Sequence, residues 1–282
     1  MRDMTRKLLA AVLAAVVTVT LTSAPASASH QVRPLSQAHA HNDYEHARPL
    51  FDALDQGFSS VEADIFLVDG QLLVGHTAGD LKPDRTLESL YLEPLRQRVA
   101  GNFGHVYRRP SAFQLLVDIK SEANSTYEAL QKRLNDPRYS FLFSTYAFGL
   151  VLQGPVTAVL SGSRPKDVLV AQRYRKAFYD GRILDQSDLH IGDDRRVTPL
   201  VSDDWTEVFT WTGAGPMPAA ERAKLRQITR DAHRAGQKVR FWATPDGAGA
   251  DRTALWQEQL DAGVDFLNTD DLSGLAEFLK KQ

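Results

Sequence analysis

The stretch His39-Ala40-His41-Asn42-Asp43-Tyr44-Glu45-His46 holds three of the chain's eight histidines, together with an amide and two carboxylic acids. A solvated loop has no need of such a set, and an apolar interior does not tolerate it unpaired. Downstream, "SSVEADIF" places Glu62 and Asp64 two positions apart, alternating with Val61, Ala63 and Ile65. On a strand both carboxylates face one side. Like charges that close repel unless a proton or cation lies between them, and a hard divalent ion satisfies them with oxygen ligands. "LLVDIK" repeats the geometry. Its apolar start marks a buried strand, so Asp118 needs a partner and offers a third carboxylate to the same ion, while Lys120 can meet a substrate anion. Simpler readings are an exposed acidic edge for the first pair and an internal ion pair for the second. His41 and His76, the latter in "LLVGHT", add two imidazoles. Two histidines on opposite sides of a metal suit general acid–base cleavage of a phosphodiester: one takes a proton from the attacking oxygen, the other protonates the leaving oxygen.

These residues need strands to carry them. Leu35–Ala40 reads as a first strand, Ser59–Phe66 as a second with an extension over Gln71–Gly75 after the Asp69-Gly70 turn, and Phe113–Ile119 as a third. Further strands are expected over Val156–Leu160, Lys176–Tyr179, Thr198–Val201, Lys238–Trp242 and Val264–Asn268. Amphipathic periodicity predicts helices over Arg48–Gln56, Leu87–Val99, Thr126–Leu134, Ala219–Ala235, Arg252–Asp261 and Leu272–Leu279. Gly236 and Gly263 stand just past two of them, where a left-handed residue ends a helix. The pattern is weakest between Arg138 and Arg196. Alternating strands and helices over this length predict a parallel (β/α)8 TIM barrel, with the acids near the C-terminal ends of its strands. An open doubly wound sheet is the alternative, but no glycine-rich phosphate loop follows the first strand.

"HND", "VEADIFLVDGQLLVGHT" and "LLVDIK" together resemble the phosphatidylinositol phospholipase C and glycerophosphodiester phosphodiesterase superfamily. The resemblance implies a PI-PLC-like barrel, a phosphoric diester hydrolase activity, His41 and His76 as the catalytic pair, and Glu62, Asp64 and Asp118 as metal ligands. His41-Asn42 is similar to the His-Asn of eukaryotic phosphoinositide phospholipases C, which implies that Asn42 binds the metal through its amide oxygen. Glycerophosphodiesterases usually carry His-Arg there. "VRFWATPD" resembles their strand-seven Trp segment and "GVDFLNTDDL" their strand-eight ending. A closer likeness is to a branch with H-x-H-N-D-Y, which includes fungal proteins with a mitochondrial-inheritance name and carries no substrate to transfer. The implied cofactor is one divalent cation, Ca2+ or Mg2+.

Other positions stay open. His39 is expected beside the site, as a substrate contact or a support for its neighbours. Trp242 is either an apolar wall for substrate or barrel core. Asp270 either orients a catalytic histidine or caps the last helix. Asp43 is an N-cap or a substrate contact, and Glu45 and His46 open the first helix. His105, His190 and His233 have no constellation of carboxylates like that of the first strands near them in sequence, and His233 falls in an amphipathic helix.

Composition sets outer bounds. With 33 basic and 35 acidic residues among 282, the net charge of −2 gives no footprint for nucleic acid. Arg2, Arg6 and Lys7, the apolar run Leu8–Leu21, and Ala26-Ser27-Ala28 read as a secretory signal over residues 1–28, cleaved near Ala28. That run is shorter than the roughly 20 residues of a membrane span. The expectation is a secreted protein whose residues 29–282 form one domain, held by packing alone because the chain has no cysteine. Its partner is a small-molecule or lipid phosphodiester, with at most peripheral membrane contact and no protein partner. "WTGAGPM", Trp211 to Met217, is a candidate apolar rim. Two other functions compete: an amidohydrolase using His39-x-His41 as metal motif, and a module that binds a phosphorylated headgroup without turnover.

Overall fold

The computed structural model describes residues 32–282; the segment read as a signal, residues 1–28, lies outside them. Eight parallel strands close into a barrel: β1 (Leu35–Ala40), β2 (Phe58–Val68), β3 (Gln114–Ile119), β4 (Thr157–Gly162), β5 (Ala177–Arg182), β6 (Leu200–Asp204), β7 (Lys238–Trp242) and β8 (Phe266–Thr269). Each pairs with the next, and β8 returns to β1. The expected (β/α)8 architecture is therefore present. After the Asp69-Gly70 turn, whose residues both have positive φ, a hairpin strand (Gln71–Val74) pairs antiparallel with β2.

The outer layer comprises α1 (Phe51–Gln56), α2 (Glu93–Gly101), α3 (Ala123–Leu134), α4 (Lys166–Ala171), α5 (Trp205–Val208), α6 (Ala219–Ala235), α7 (Ala250–Ala262) and α8 (Leu272–Lys280). None of the described helices is long and apolar enough to cross a membrane. Two boundaries differ from expectation for physical reasons. α1 starts at Phe51 rather than Arg48 because Pro49 disfavours helical geometry at Arg48 and Leu50 takes a positive φ of 65°, outside the helical region. α3 starts three residues early because the Glu122 carboxylate accepts the N–H groups of Asn124 and Ser125. A π-helical turn, Glu88–Leu92, leads into α2. Gly236 and Gly263 end α6 and α7 in the left-handed conformation, as expected.

Strand alternation sorts the residues. Outward side chains such as Val61, Ala63, Ile65, Leu115, Val117 and Phe241 are buried against the helices. Inside, Leu116, Val159, Phe178, Leu200 and Phe266 form an apolar layer near the strands' N-terminal ends. A small antiparallel sheet of Thr145–Ala147, Leu150–Leu152 and Tyr174–Arg175, not expected from the sequence, closes that end with Tyr146 and Val151 against the layer. The inward side chains above the layer are polar, and they lead to the mouth at the C-terminal ends.

Candidate active site

The lower tier of the site is a chain of hydrogen bonds that fixes Glu62. The Arg240 guanidinium donates to Glu62 Oε2 at 2.7 Å and to Asn268 Oδ1 at 2.9 Å, and the arginine is 2% exposed. His39 Nε2 lies 3.2 Å from the same Glu62 oxygen and its Nδ1 2.7 Å from Ser60 Oγ, which also accepts Gln114 Nε2–H at 3.0 Å. Burial, reinforced by Arg240, pushes the His39 imidazolium down to about 4, so the ring is neutral at pH 7. A carboxylate only accepts, so Nε2 carries the proton and Nδ1 takes the Ser60 hydroxyl. Burial alone would raise the Glu62 pKa, but Arg240 and His39 hold it well below the usual range. Glu62 is a fixed anion. His39 is completely buried beneath the cavity, which corrects the expectation of a substrate contact: its ring is committed to Ser60 and Glu62.

Above this tier, single carboxylate oxygens of Glu62, Asp64 and Asp118 lie within 4.8 Å of one another. Asp64 and Asp118 are register partners on β2 and β3, so their side chains share a face by construction. Burial, then the charges of Glu62 and Asp118, raise the Asp64 pKa to about 7; burial and Glu62 raise that of Asp118. Lys120 Nζ sits 3.2 Å from both Asp64 and Asp118. Asp64 Oδ1 is buried and receives no hydrogen bond, and the buried Asp118 Oδ1 meets only the Lys120 ammonium, at 3.2 Å. Three converging carboxylates, one with an undonated buried oxygen, fit a hard divalent cation.

Gly162 makes this arrangement possible. Its φ is +65°, and a Cβ there would stand 2.1 Å from Asp118 Oδ1 and 2.5 Å from the Ile119 carbonyl oxygen.

The histidines come from loops. His41 follows β1, its N–H bonded to the Thr269 carbonyl at 3.0 Å, and its ring Nδ1 lies 2.8 Å from Asp270 Oδ1. Asp270 thus orients His41, while Asp271 caps α8 by accepting the Gly274 N–H. Burial lowers the His41 pKa, but the Asp270 hydrogen bond and the Glu62 charge outweigh it, and the net shift is upward. Asp270 accepts from Nδ1, which leaves Nε2 for chemistry.

His76 follows the hairpin strand, with Nδ1 3.1 Å from the Tyr44 hydroxyl. That hydroxyl is also 2.8 Å from Asp64 Oδ2 and 2.8 Å from Asn42 Oδ1. Burial and the Asp64 charge raise the Tyr44 pKa far above its ordinary value, so it stays protonated. Its one proton goes to Asp64 or Asn42, and it accepts His76 Nδ1–H, turning Nε2 of His76 outward.

A cavity of about 510 Å³ joins these groups, lined by His41, Asn42, Glu62, His76, Asp118, Lys120, Arg182, Arg240 and Trp242 among others. Trp242 is a cavity wall rather than sealed core. Tyr44, Arg182 and Arg240 were not singled out from the sequence. Arg240 carried a usable signal, since it alternates with Val239 and Phe241 on a buried strand; Tyr44 lies in an irregular turn without periodicity, and its signal was its place at the end of the H-x-H-N-D-Y motif.

Several expectations are corrected. Asp43 is neither cap nor substrate contact: it is fully buried and accepts the Leu50 N–H at 2.6 Å and the Tyr91 hydroxyl at 3.0 Å. Glu45 and His46 precede α1 instead of opening it, with Glu45 closing the 3-10 turn Asp43–Glu45. The amidohydrolase set is not assembled, because His39 is committed to Ser60 and Glu62 and His233 pairs with Asp265 on the outer layer. Trp211 and Met217 are buried rather than on a rim, the indole donating to the Ala214 carbonyl.

Residues 26–180 match the family model described as the AIM6-like phosphodiesterase domain, and residues 238–273 that of the glycerophosphoryl diester phosphodiesterase family. Curated relatives include "Altered inheritance of mitochondria protein 6" of Eremothecium gossypii, 32% identical over 285 residues, spanning 91% of this chain and 72% of the relative. A homolog in Arthroderma benhamiae is 30% identical, spanning 83% and 81%. Among solved structures, a calcium-dependent phosphoinositol-specific phospholipase C from a Pseudomonas species superposes with a TM-score of 0.51 at 13% identity, covering 87% of this chain and 92% of that chain. A glycerophosphoryl diester phosphodiesterase from Parabacteroides distasonis gives 0.50 at 11% identity, covering 88% and 87%. Both share the fold of this chain. The relatives correct one expectation: they are named for the inheritance of mitochondria, organelles within the cell, and the reading of a secreted protein is withdrawn.

Proposed function

Since this chain belongs to the AIM6-like phosphodiesterase domain family, we propose that it is a metal-dependent phosphoric diester hydrolase acting through His41 and His76. The observation that supports it is one cavity bringing two imidazoles against three converging carboxylates. Asp270 holds His41 with Nε2 free, which suits the base that takes a proton from the attacking oxygen of water or of a substrate hydroxyl. Tyr44 holds His76 with Nε2 outward, which suits the acid that protonates the leaving oxygen. Glu62, Asp64 and Asp118, with Asn42 beside them, would hold Ca2+ or Mg2+. A bound cation supplies neutralisation of the phosphate and of the charge that develops on it. Lys120 adds a positive group at the same edge. The site's partner is a phosphodiester, and no nucleic acid or protein partner is implied.

Hydrolysis of bis-p-nitrophenyl phosphate with Ca2+, with Mg2+ and with chelator tests the reading. Turnover that chelator abolishes, and that His41→Ala and His76→Ala each lose, is expected. Metal-independent turnover, or turnover retained in both variants, would defeat it.

A further inference from the structure

We infer that the base of the barrel holds a second ligand site, separate from the mouth, for a small amphiphilic anion: a carboxylate or phosphate head carried on a hydrocarbon chain. Beneath the apolar layer, between the N-terminal ends of the strands and the small sheet, lies a cavity of about 530 Å³, a size at which small molecules are bound. Its walls are of two kinds. Phe178 and Phe266, with Leu150 of the small sheet, present apolar surface, and Arg195, Arg196 and Lys238 present positive charge. Among the described residues no acidic side chain lines it, so the cavity as a whole is complementary to an anion. It shares no lining residue with the cavity at the mouth, and the inference does not depend on the phosphodiesterase reading.

Lys238 is the first residue of β7. Arg240 and Trp242, two and four positions on, line the mouth cavity, so strand alternation turns Lys238 inward as well, at the opposite end of the strand. Its Nζ stands 4.5 Å from the centre of the Phe266 ring and has no hydrogen-bond or ion-pair partner among the described residues. The side chain is accessible from the cavity, yet protein surrounds it closely enough that burial, against the pull of Asp265, lowers its pKa. That is the condition of a cation in a concave site: part of its water is gone, and no carboxylate is bonded to it. An anionic head supplies the missing partner, while the chain behind it lies along the phenylalanines.

The two arginines have different duties. Arg196 is committed: its guanidinium pairs with Asp194 at 2.7 Å and donates to the Gly149 carbonyl at 3.0 Å, which ties its loop to the hairpin of the small sheet and fixes the cavity's edge. Arg195 has no such bond among the described residues. Its stem packs on Gly236, where a β-carbon would stand 2.5 Å from Cδ. The missing side chain at 236 thus seats Arg195 against the barrel, with its guanidinium left for the same anion that Lys238 meets. Leu150 lines the cavity and is 69% exposed, which marks the entrance. A single ligand answers both observations, its chain covering Leu150 and the phenylalanines and its head meeting Lys238 and Arg195.

The test is isothermal titration of the full chain with decanoate, decyl phosphate, decanol and butanoate, in chelator so that no metal at the mouth holds the head group. Decanoate or decyl phosphate should saturate a single site at least about tenfold more tightly than decanol, which lacks the charge. It should bind about 100-fold or more tightly than butanoate, which lacks the chain. Lys238→Met and Arg195→Gln should each weaken that binding by about tenfold, with the melting temperature of the free protein nearly unchanged. Lys120→Met, which removes a cation at the mouth, should leave it intact. Decanol bound as well as decanoate, affinity unmoved in either base variant, or affinity lost in Lys120→Met would each overturn the inference. So would a full chain that binds none of the probes, whether its cavity stays empty or a second copy covers it. Co-sedimentation with phosphatidylglycerol vesicles without uptake of decanoate would overturn it in favour of docking on a bilayer.

Discussion

Nδ1 of His41 lies 2.8 Å from Oδ1 of Asp270, although 229 positions separate the two residues. Closure of the barrel brings them together, because β8 lies beside β1 and the Thr269 carbonyl binds the His41 N–H. The Asp270 side chain is 60% exposed, so its role is orientation in a wet setting and not a buried charge. Asp270→Ala should lower kcat on bis-p-nitrophenyl phosphate on the order of 10- to 100-fold, less than the ~10⁴ known for a buried triad aspartate, with KM and melting temperature nearly unchanged. An unchanged kcat would remove Asp270 from the machinery.

Arg240 is the counter-ion of Glu62 inside the barrel, 2.7 Å away and nearly inaccessible. Arg240→Ala would leave a buried carboxylate unpaired, and chemical denaturation should register a loss of about 3–5 kcal/mol. Combining it with Glu62→Gln should recover part of that stability without restoring activity. A single variant as stable as the parent would contradict the pairing.

Gly162 stands where any β-carbon would collide with the Asp118 carboxylate. Gly162→Ala should therefore weaken divalent-cation binding, read by calorimetry, and reduce turnover by at least about tenfold through a misplaced ligand. Far-ultraviolet circular dichroism should still report a folded barrel. Undiminished cation affinity would show that Asp118 moves aside at no cost.

Asp43 predicts a pH effect on stability. Burial pushes its carboxyl up from 3.8 to about 7, against the pull of the Leu50 N–H and the Tyr91 hydroxyl. The native state then keeps a proton that the unfolded chain releases between those values. Asp43 thus contributes stability that is fully present below 3.8 and is lost as pH rises towards 7. His39, lowered to about 4, acts in the opposite direction, so the difference between Asp43→Asn and the parent is the proper readout. That difference should favour the variant increasingly from pH 4.5 to 7.5 in thermal melts (an interval set by the ordinary and shifted values), and a pH-independent difference would refute the assignment.

The barrel was legible because each strand is a short apolar run ended by a polar residue or a turn, and β1 and β7 match their expected bounds in full. The inward direction of Glu62, Asp64 and Asp118 followed from a period of two. What escaped the sequence was tertiary. The strand read as ending at Tyr179 continues to Arg182, where alternating Asp180 and Arg182 look like surface until Ser161 and Ser202 close around the carboxylate. Tyr44 sits in a 3-10 turn with no periodicity to betray it. The small sheet consists of strands of two and three residues, too short to give a pattern.

The plug formed by Tyr146 and Val151 beneath the apolar layer has a kinetic corollary. A barrel filled beneath its site opens only towards the mouth, so both fragments of a cleaved diester must depart from the end at which the intact molecule arrived. Whichever fragment is gripped harder then stands in the path of the next arrival. Turnover by such a vessel is expected to slow as that fragment accumulates, in competition with fresh substrate, while the weakly held fragment escapes without effect.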